Sequence, residues 1–192
     1  MQEERYKRID DARVLRAVAH PIRNRILAEL EAGGPMRAAD MAERIDIPAN
    51  QASFHLRQLA KYALVEEAPE LARDGRERVW RTASPGGWSI SLRELEQTPG
   101  GASAVAVYRS HASAEAHQMV EDIYARAGDP HAHRMFSDQA VRLTDDEARA
   151  FSGELNAFVE RWRERTAGLP GDDRRTHRLM MLMQPYESAA ED

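Results

Sequence analysis

Ala49-Asn50-Gln51-Ala52-Ser53-Phe54-His55-Leu56-Arg57-Gln58-Leu59-Ala60-Lys61-Tyr62 decides the fold, together with Arg37 to Ile45 before it and the break Asp46-Ile47-Pro48 between them. At about 100° per residue, Ala52, Leu56 and Leu59 fall within roughly 60° of one another and face a core. Asn50, Phe54, Arg57 and Lys61 fall on the opposite side, with Gln51, Ser53 and Gln58 flanking them. His55 lies nearer the core side, so a structural role is expected for it. The preceding helix, about Arg37 to Ile45, buries Met41 and Ile45.

Upstream, Asp10-Asp11 supplies N-cap residues for a helix carrying Val14, Leu15 and Val18. Pro21 opens a second helix at its first position, with Ile22, Ile26 and Leu30 on one stripe, and Gly33-Gly34-Pro35 ends it. Downstream the period changes. Leu64-Val65-Glu66 and Arg78-Val79-Trp80-Arg81 read as two short strands, with Asp74-Gly75 as a turn signal between them. Two helices around a short break, followed by a two-stranded hairpin, describe a winged helix-turn-helix domain over residues 10–82.

Pro85-Gly86-Gly87 and Thr98-Pro99-Gly100-Gly101 punctuate residues 83–102, which read as a linker. A long helix of about Ser103 to Ala127 follows, its apolar stripe rich in alanine. Thr144-Asp145-Asp146-Glu147 is a capping box for a further helix bearing Phe151, Leu155, Phe158 and Trp162. Met135 to Leu143 could form a strand, and Arg178 to Met183 reads as a buried one. The expected class is therefore mainly α with a small amount of β: a winged helix-turn-helix domain plus a C-terminal α+β extension, residues 103–186, containing a long dimerisation helix. That extension either encloses a ligand or forms a solid core bracing a dimer, and methionine and aromatic stripes favour the core.

Composition narrows the function. The 192 residues contain no cysteine, which removes disulfides, thiolate catalysis and cysteine-based zinc sites. No apolar run approaches the ~20 residues of a membrane span, and no secretory leader is legible, so a cytoplasmic protein is expected. Residues 1–82 carry 15 Lys/Arg against 14 Asp/Glu, whereas residues 83–192 carry 12 against 18. The first half could sit on a polyanion, and the second would be repelled by one. No nucleophile elbow, phosphate-binding glycine loop or His-Glu-x-x-His motif is present, so an enzyme is not expected. His111 and His117 do not share a helix face, and His131-Ala132-His133 with Asp129 lacks a second pair, so neither a metal nor another cofactor is expected.

Several segments carry a family likeness. Leu15-Arg16-Ala17-Val18-Ala19-His20-Pro21-Ile22-Arg23-Asn24-Arg25-Ile26-Leu27 resembles the opening of the ArsR-like transcriptional regulators. Pro35 to Ile45 is similar to their first helix-turn-helix element, Gln51 to Leu59 to their recognition helix with its Ser-x-His-Leu core, and Asp74-Gly75-Arg76 to their wing turn. Asp46 and Ala63 stand where glycine is usual in the family; Asp46 can still reach the left-handed conformation at some cost. The resemblance implies a homodimer that reads a two-fold DNA operator, with repression the expected outcome, and leaves room for an unidentified small-molecule effector or a metal.

Asn50 and Gln51 can then pair with adenine edges, Phe54 with a thymine methyl, and Arg57 with guanine or phosphate, with Ser53 beside them. Arg76 and Arg78 on the wing suit phosphate contacts, and Arg37, near a helix start, could join backbone amides around a phosphate. Tyr108, Ala112, Ala116, Met119 and Ile123 mark the expected dimer face. The alternative from another class is a winged-helix protein–protein module without DNA binding, favoured by the acidic second half.

Overall fold

Helix α1 (Ala12–Val18) starts where the Asp11 carboxylate accepts the Arg13 amide at 2.7 Å, satisfying one of the free donors of the first turn. Helix α2 (Pro21–Gly33) has proline in its first turn and stops at Gly34, whose φ of +79° no other residue adopts easily. The computed structural model describes residues 7–72, 77–84, 86–125, 131–169 and 174–185. Strand β1 (Lys7–Ile9) precedes α1, and β2 (Met36–Arg37) leads directly into α3 (Ala38–Ile45) and α4 (Ala49–Lys61). Strands β3 (Val65–Glu67), β4 (Val79–Thr82) and β5 (Trp88–Ile90) follow, then α5 (Leu92–Leu95), the long α6 (Gly101–Tyr124) and α7 (Asp145–Thr166). The class is mainly helical with small sheets, as the periodicity predicts.

The wing is a three-stranded antiparallel sheet in the order β2-β4-β3, with Met36 opposite Trp80 and Glu67 opposite Trp80 on the other side. The hairpin reading finds β3 and β4 but misses β2, which is only two residues long and has no periodicity to show. The expected Asp74-Gly75 turn lies outside the described residues.

Residues 83–102 correct the linker reading. Trp88–Ile90 pairs in parallel with Lys7–Ile9, and Leu95 of α5 is fully buried in the main core. Glycine and proline punctuate this stretch because it turns tightly, and its apolar residues pack. The core gathers Leu15, Ile26, Leu30, Met41, Ile45, Leu56, Leu59, Leu64, Val65 and Trp80 with Leu95, Ala104 and Val105. Each of the leucine, isoleucine, valine and methionine side chains contributes roughly 1.5–3 kcal/mol by leaving water. The start of α6 is thus part of the N-terminal core.

The extension differs from its α+β expectation. Neither 135–143 nor 178–183 joins a sheet among the described residues, and Leu182 is 84% exposed. A strand forms only where another strand satisfies its backbone, and among the described residues no such partner stands beside either segment. The capping box does form: the Thr144 hydroxyl accepts the Glu147 amide at 3.3 Å, while the Glu147 carboxylate accepts the Thr144 amide at 2.8 Å. Yet no residue of α7 is buried, and Phe158 and Trp162 are exposed, so the expected solid core is absent from the described residues. The part of the extension beyond α6 meets α2 and α6 through polar tethers: Arg163 to Glu31 at 3.3 Å, Arg178 to Glu115 at 2.7 Å, and the Thr176 hydroxyl to Glu29 at 2.7 Å.

Candidate nucleic-acid interface

Helices α3 and α4 pack on each other around a turn whose geometry is set by how each helix ends. After α3, the Asp46 amide donates to the Glu43 carbonyl at 3.3 Å and the Ile47 amide to the Ala42 carbonyl at 3.0 Å, with Asp46 left-handed at φ +55°. After α4, the Ala63 amide donates to Ala60 at 2.9 Å and the Leu64 amide to Leu59 at 3.1 Å, with Ala63 at φ +51°. Both are Schellman ends, closed at positions that glycine normally fills. The first aims α4 away from α3. The second drops Leu64 into the core beside Leu59 and delivers the chain into β3.

So seated, α4 buries Ala52, His55, Leu56 and Leu59. Asn50, Gln51, Phe54, Arg57 and Lys61 are exposed, and Ser53 and Gln58 are half-buried. The Asn50 side-chain oxygen accepts the Gln51 amide at 2.9 Å, which leaves its NH2 outward. Phe54 is half exposed, its ring edge-on to His55 at 5.2 Å. The Lys61 ammonium lies 5.8 Å from the centre of the Tyr62 ring.

Wing charges are arranged differently. Arg78 pairs with Glu67 at 3.2 Å, and Arg81 bridges Glu66 at 2.7 Å and Glu70 at 2.5 Å. Arg76 lies outside the described residues. Arg37 departs from the phosphate-holding expectation, because its guanidinium is shared between Asp40 at 2.5 Å and Glu77 at 2.8 Å. Hydrogen bonds to Asp40 and then Glu77 push its pKa up further. The nearby carboxylates were in the sequence all along, but nothing local shows that residue 77 folds back onto residue 37. Among the described residues of α4 and the wing, Arg57 and Lys61 are the cations without a carboxylate partner.

On α6, Ala112, Ala116, Met119 and Ile123 are half-buried, whereas Val107, Val120 and Tyr124 are exposed. Tyr108 differs from the rest of the expected dimer stripe. It packs against this chain's own core and, with Asn24, Leu27, Glu31 and Trp88, lines a cavity of about 160 Å3. Burial, and then Glu115, raises its pKa. Burial also raises that of Glu31, partly offset by Arg163. No three His, Asp or Glu side chains converge as metal ligands among the described residues. Asp129 lies outside them.

One part of this region is missed by sequence reasoning. His20, at the corner between α1 and α2, stacks on His55 with ring centres 4.8 Å apart. A His-Pro pair at a helix start says nothing about a residue 35 positions further on.

Residues 18–68 match the family described as a helix-turn-helix domain. The chain carries a helix-turn-helix domain. The matched segment contains α2, α3, α4 and β3 and is about a quarter of the chain. Among solved structures, a doubly substituted ZitR from Lactococcus lactis in its apo form is 18% identical over 78% of this chain and 81% of its own, with a TM-score of 0.28. No curated protein matches. No described helix is long and apolar enough to cross a membrane.

Proposed function

We propose that the protein is a DNA-binding transcriptional regulator of the ArsR-like kind, most simply a repressor, in which α4 reads the major groove. The observation that supports this most is the two-sided character of α4. Its inner face is locked into the core, while Asn50, Gln51, Phe54 and Arg57 stand in solvent with amide, aromatic and guanidinium chemistry suited to base edges. Arg57 and Lys61 add positive charge that no carboxylate among the described residues neutralises. Ser53 flanks the reading face, and Arg76 and Arg78 would reach the backbone. Arg37 would do so only by releasing Asp40 or Glu77.

The reading extends to a homodimer with residues 10–82 as the DNA-binding domain and the extension, 103–186, as the assembly region. Its support is that the extension leaves many large apolar side chains exposed, among them Val120, Tyr124, Phe158, Trp162 and Leu179. Alanines at 112 and 116 let a partner helix approach closely.

Selection from a random duplex library, followed by anisotropy titrations across salt, tests the DNA reading. Affinity should fall steeply, with a log–log slope on the order of −3 to −6 for the phosphate contacts of two copies. A chain that selects no sequence and shows no salt dependence is a protein–protein module instead, a reading to which the carboxylate-matched wing lends itself.

A further inference from the structure

His55, buried, and His20, half-buried, pair where three elements meet. The planes of their rings are tilted 47° to one another. His20 is the N-cap residue of α2, yet its side chain caps nothing. His55 is 7% exposed on the inner face of α4. The Nδ1 atoms of both rings are buried with no hydrogen-bond partner, and so is the Nε of Arg23 in the first turn of α2. Arg23 is held there by its Nη2, which donates to the Arg16 carbonyl at 3.1 Å.

The charged and titratable groups that face the pair are all basic. They are Arg23 from α2, each imidazole toward the other, and His111 from α6; Tyr62, at the end of α4, faces Arg23. No carboxylate acts on either ring among the described residues. Neutral imidazoles fit such a place. Protonated ones would put two or three positive charges together, with their buried Nδ1 atoms lacking an acceptor, which partial burial resists. Burial first, and Arg23 next, therefore hold both histidines below the ordinary imidazole range.

The placement couples two parts of the molecule. His20 sits at the end of α1, which packs along α6, and His55 sits on the helix that carries the reading face. We propose that the His20–His55 pair is an acid-sensitive latch that seats α4 on the α1–α2 corner, closed when both rings are neutral and opened when either is protonated. Its consequence for DNA rests on the function proposed above, but the latch itself does not.

The sign follows from linkage. Well above the ordinary imidazole value of about 6.5, both folded and unfolded chains carry neutral imidazoles, and the latch's contribution is fully present. As pH falls below that value the unfolded chain takes up protons first. Stability is lost until the folded-state values are reached, and it levels off beneath them.

The test uses the full chain. Imidazole titration by NMR should show two of the seven histidines, His20 and His55, taking up protons only below the ordinary imidazole range. The melting temperature should fall between pH 7.5 and 5, and Arg23→Glu, which places a carboxylate beside both rings, should shrink that acid loss by on the order of 3–6 °C. With a selected DNA duplex as probe, Kd should rise about tenfold over the same range. That is opposite to the tightening that protonated surface histidines would give. Seven imidazoles titrating together overturn the proposal even if Arg23→Glu does not fold. An equal acid loss in parent and Arg23→Glu, or DNA affinity that improves with acid, overturns it as well. A chain that binds no DNA at any pH refutes the function proposed above and leaves titration and melting to decide the latch.

Discussion

Ala63→Gly should make the protein more stable, although it removes a methyl group from a sequence position just beyond a helix. Ala63 sits at φ +51°, where an L-residue crowds its Cβ against the following carbonyl at a cost of about 1–2 kcal/mol. The residue is exposed, so losing the methyl removes no core contact. What it does for the fold it does through its backbone: its amide closes the end of α4 on Ala60, and its carbonyl accepts the Lys7 ammonium at 3.2 Å. Glycine keeps both bonds. Against the relief stands the greater freedom of glycine in the unfolded chain, about 0.5–1 kcal/mol. The net expectation is a gain of about 0.5–1 kcal/mol, or roughly 1–4 °C in melting temperature. The same chemical change in a helix interior supplies the control. Ala114→Gly on the exposed side of α6 should lose about 1 kcal/mol. Asp46→Gly should gain less than Ala63→Gly, because aspartate tolerates the left-handed region better. Melts of the three variants at neutral pH decide the matter. If Ala63→Gly falls in line with Ala114→Gly, the left-handed helix end is not there and the account of how α4 is aimed fails.

Arg57→Ala should weaken operator binding by about 1–3 kcal/mol in anisotropy titrations while leaving the melting temperature within about 2 °C, since the side chain is exposed; unchanged affinity would remove Arg57 from the reading face. Gly101→Ala should cost about 1–3 kcal/mol in denaturant melts, because a Cβ there would overlap the Leu95 carbonyl at the start of α6; a neutral result would mean that α5 and α6 meet differently. Met119→Glu combined with Ile123→Glu should convert the proposed dimer to monomers on size exclusion, with loss of sequence-specific DNA affinity; a dimer that survives both changes has its interface elsewhere.

The order of helices, the break between α3 and α4, the side of α4 that is buried and the capping box of α7 are all local properties, written in periodicity, cap residues and breakers. They were legible without coordinates because each depends on residues only a few positions apart. The same local logic overreached where strands were concerned. Residues 135–143 and 178–183 have strand-like composition, but a strand exists only when a second backbone lies alongside it, and composition does not say whether one does. Conversely, Lys7–Ile9 and Trp88–Ile90 pair across 81 positions, so what reads as a linker became part of the core. Charge behaves in the same way. The sequence offers both Arg37 and Arg57 as DNA contacts and already turns Arg57 outward, but only the fold brings Glu77 against Arg37. Local sequence therefore determined which helix could read a partner. Tertiary structure decided which of its neighbours are already engaged, and it brought His20 to His55, because burial, pairing and counter-charge are properties of places that distant residues share.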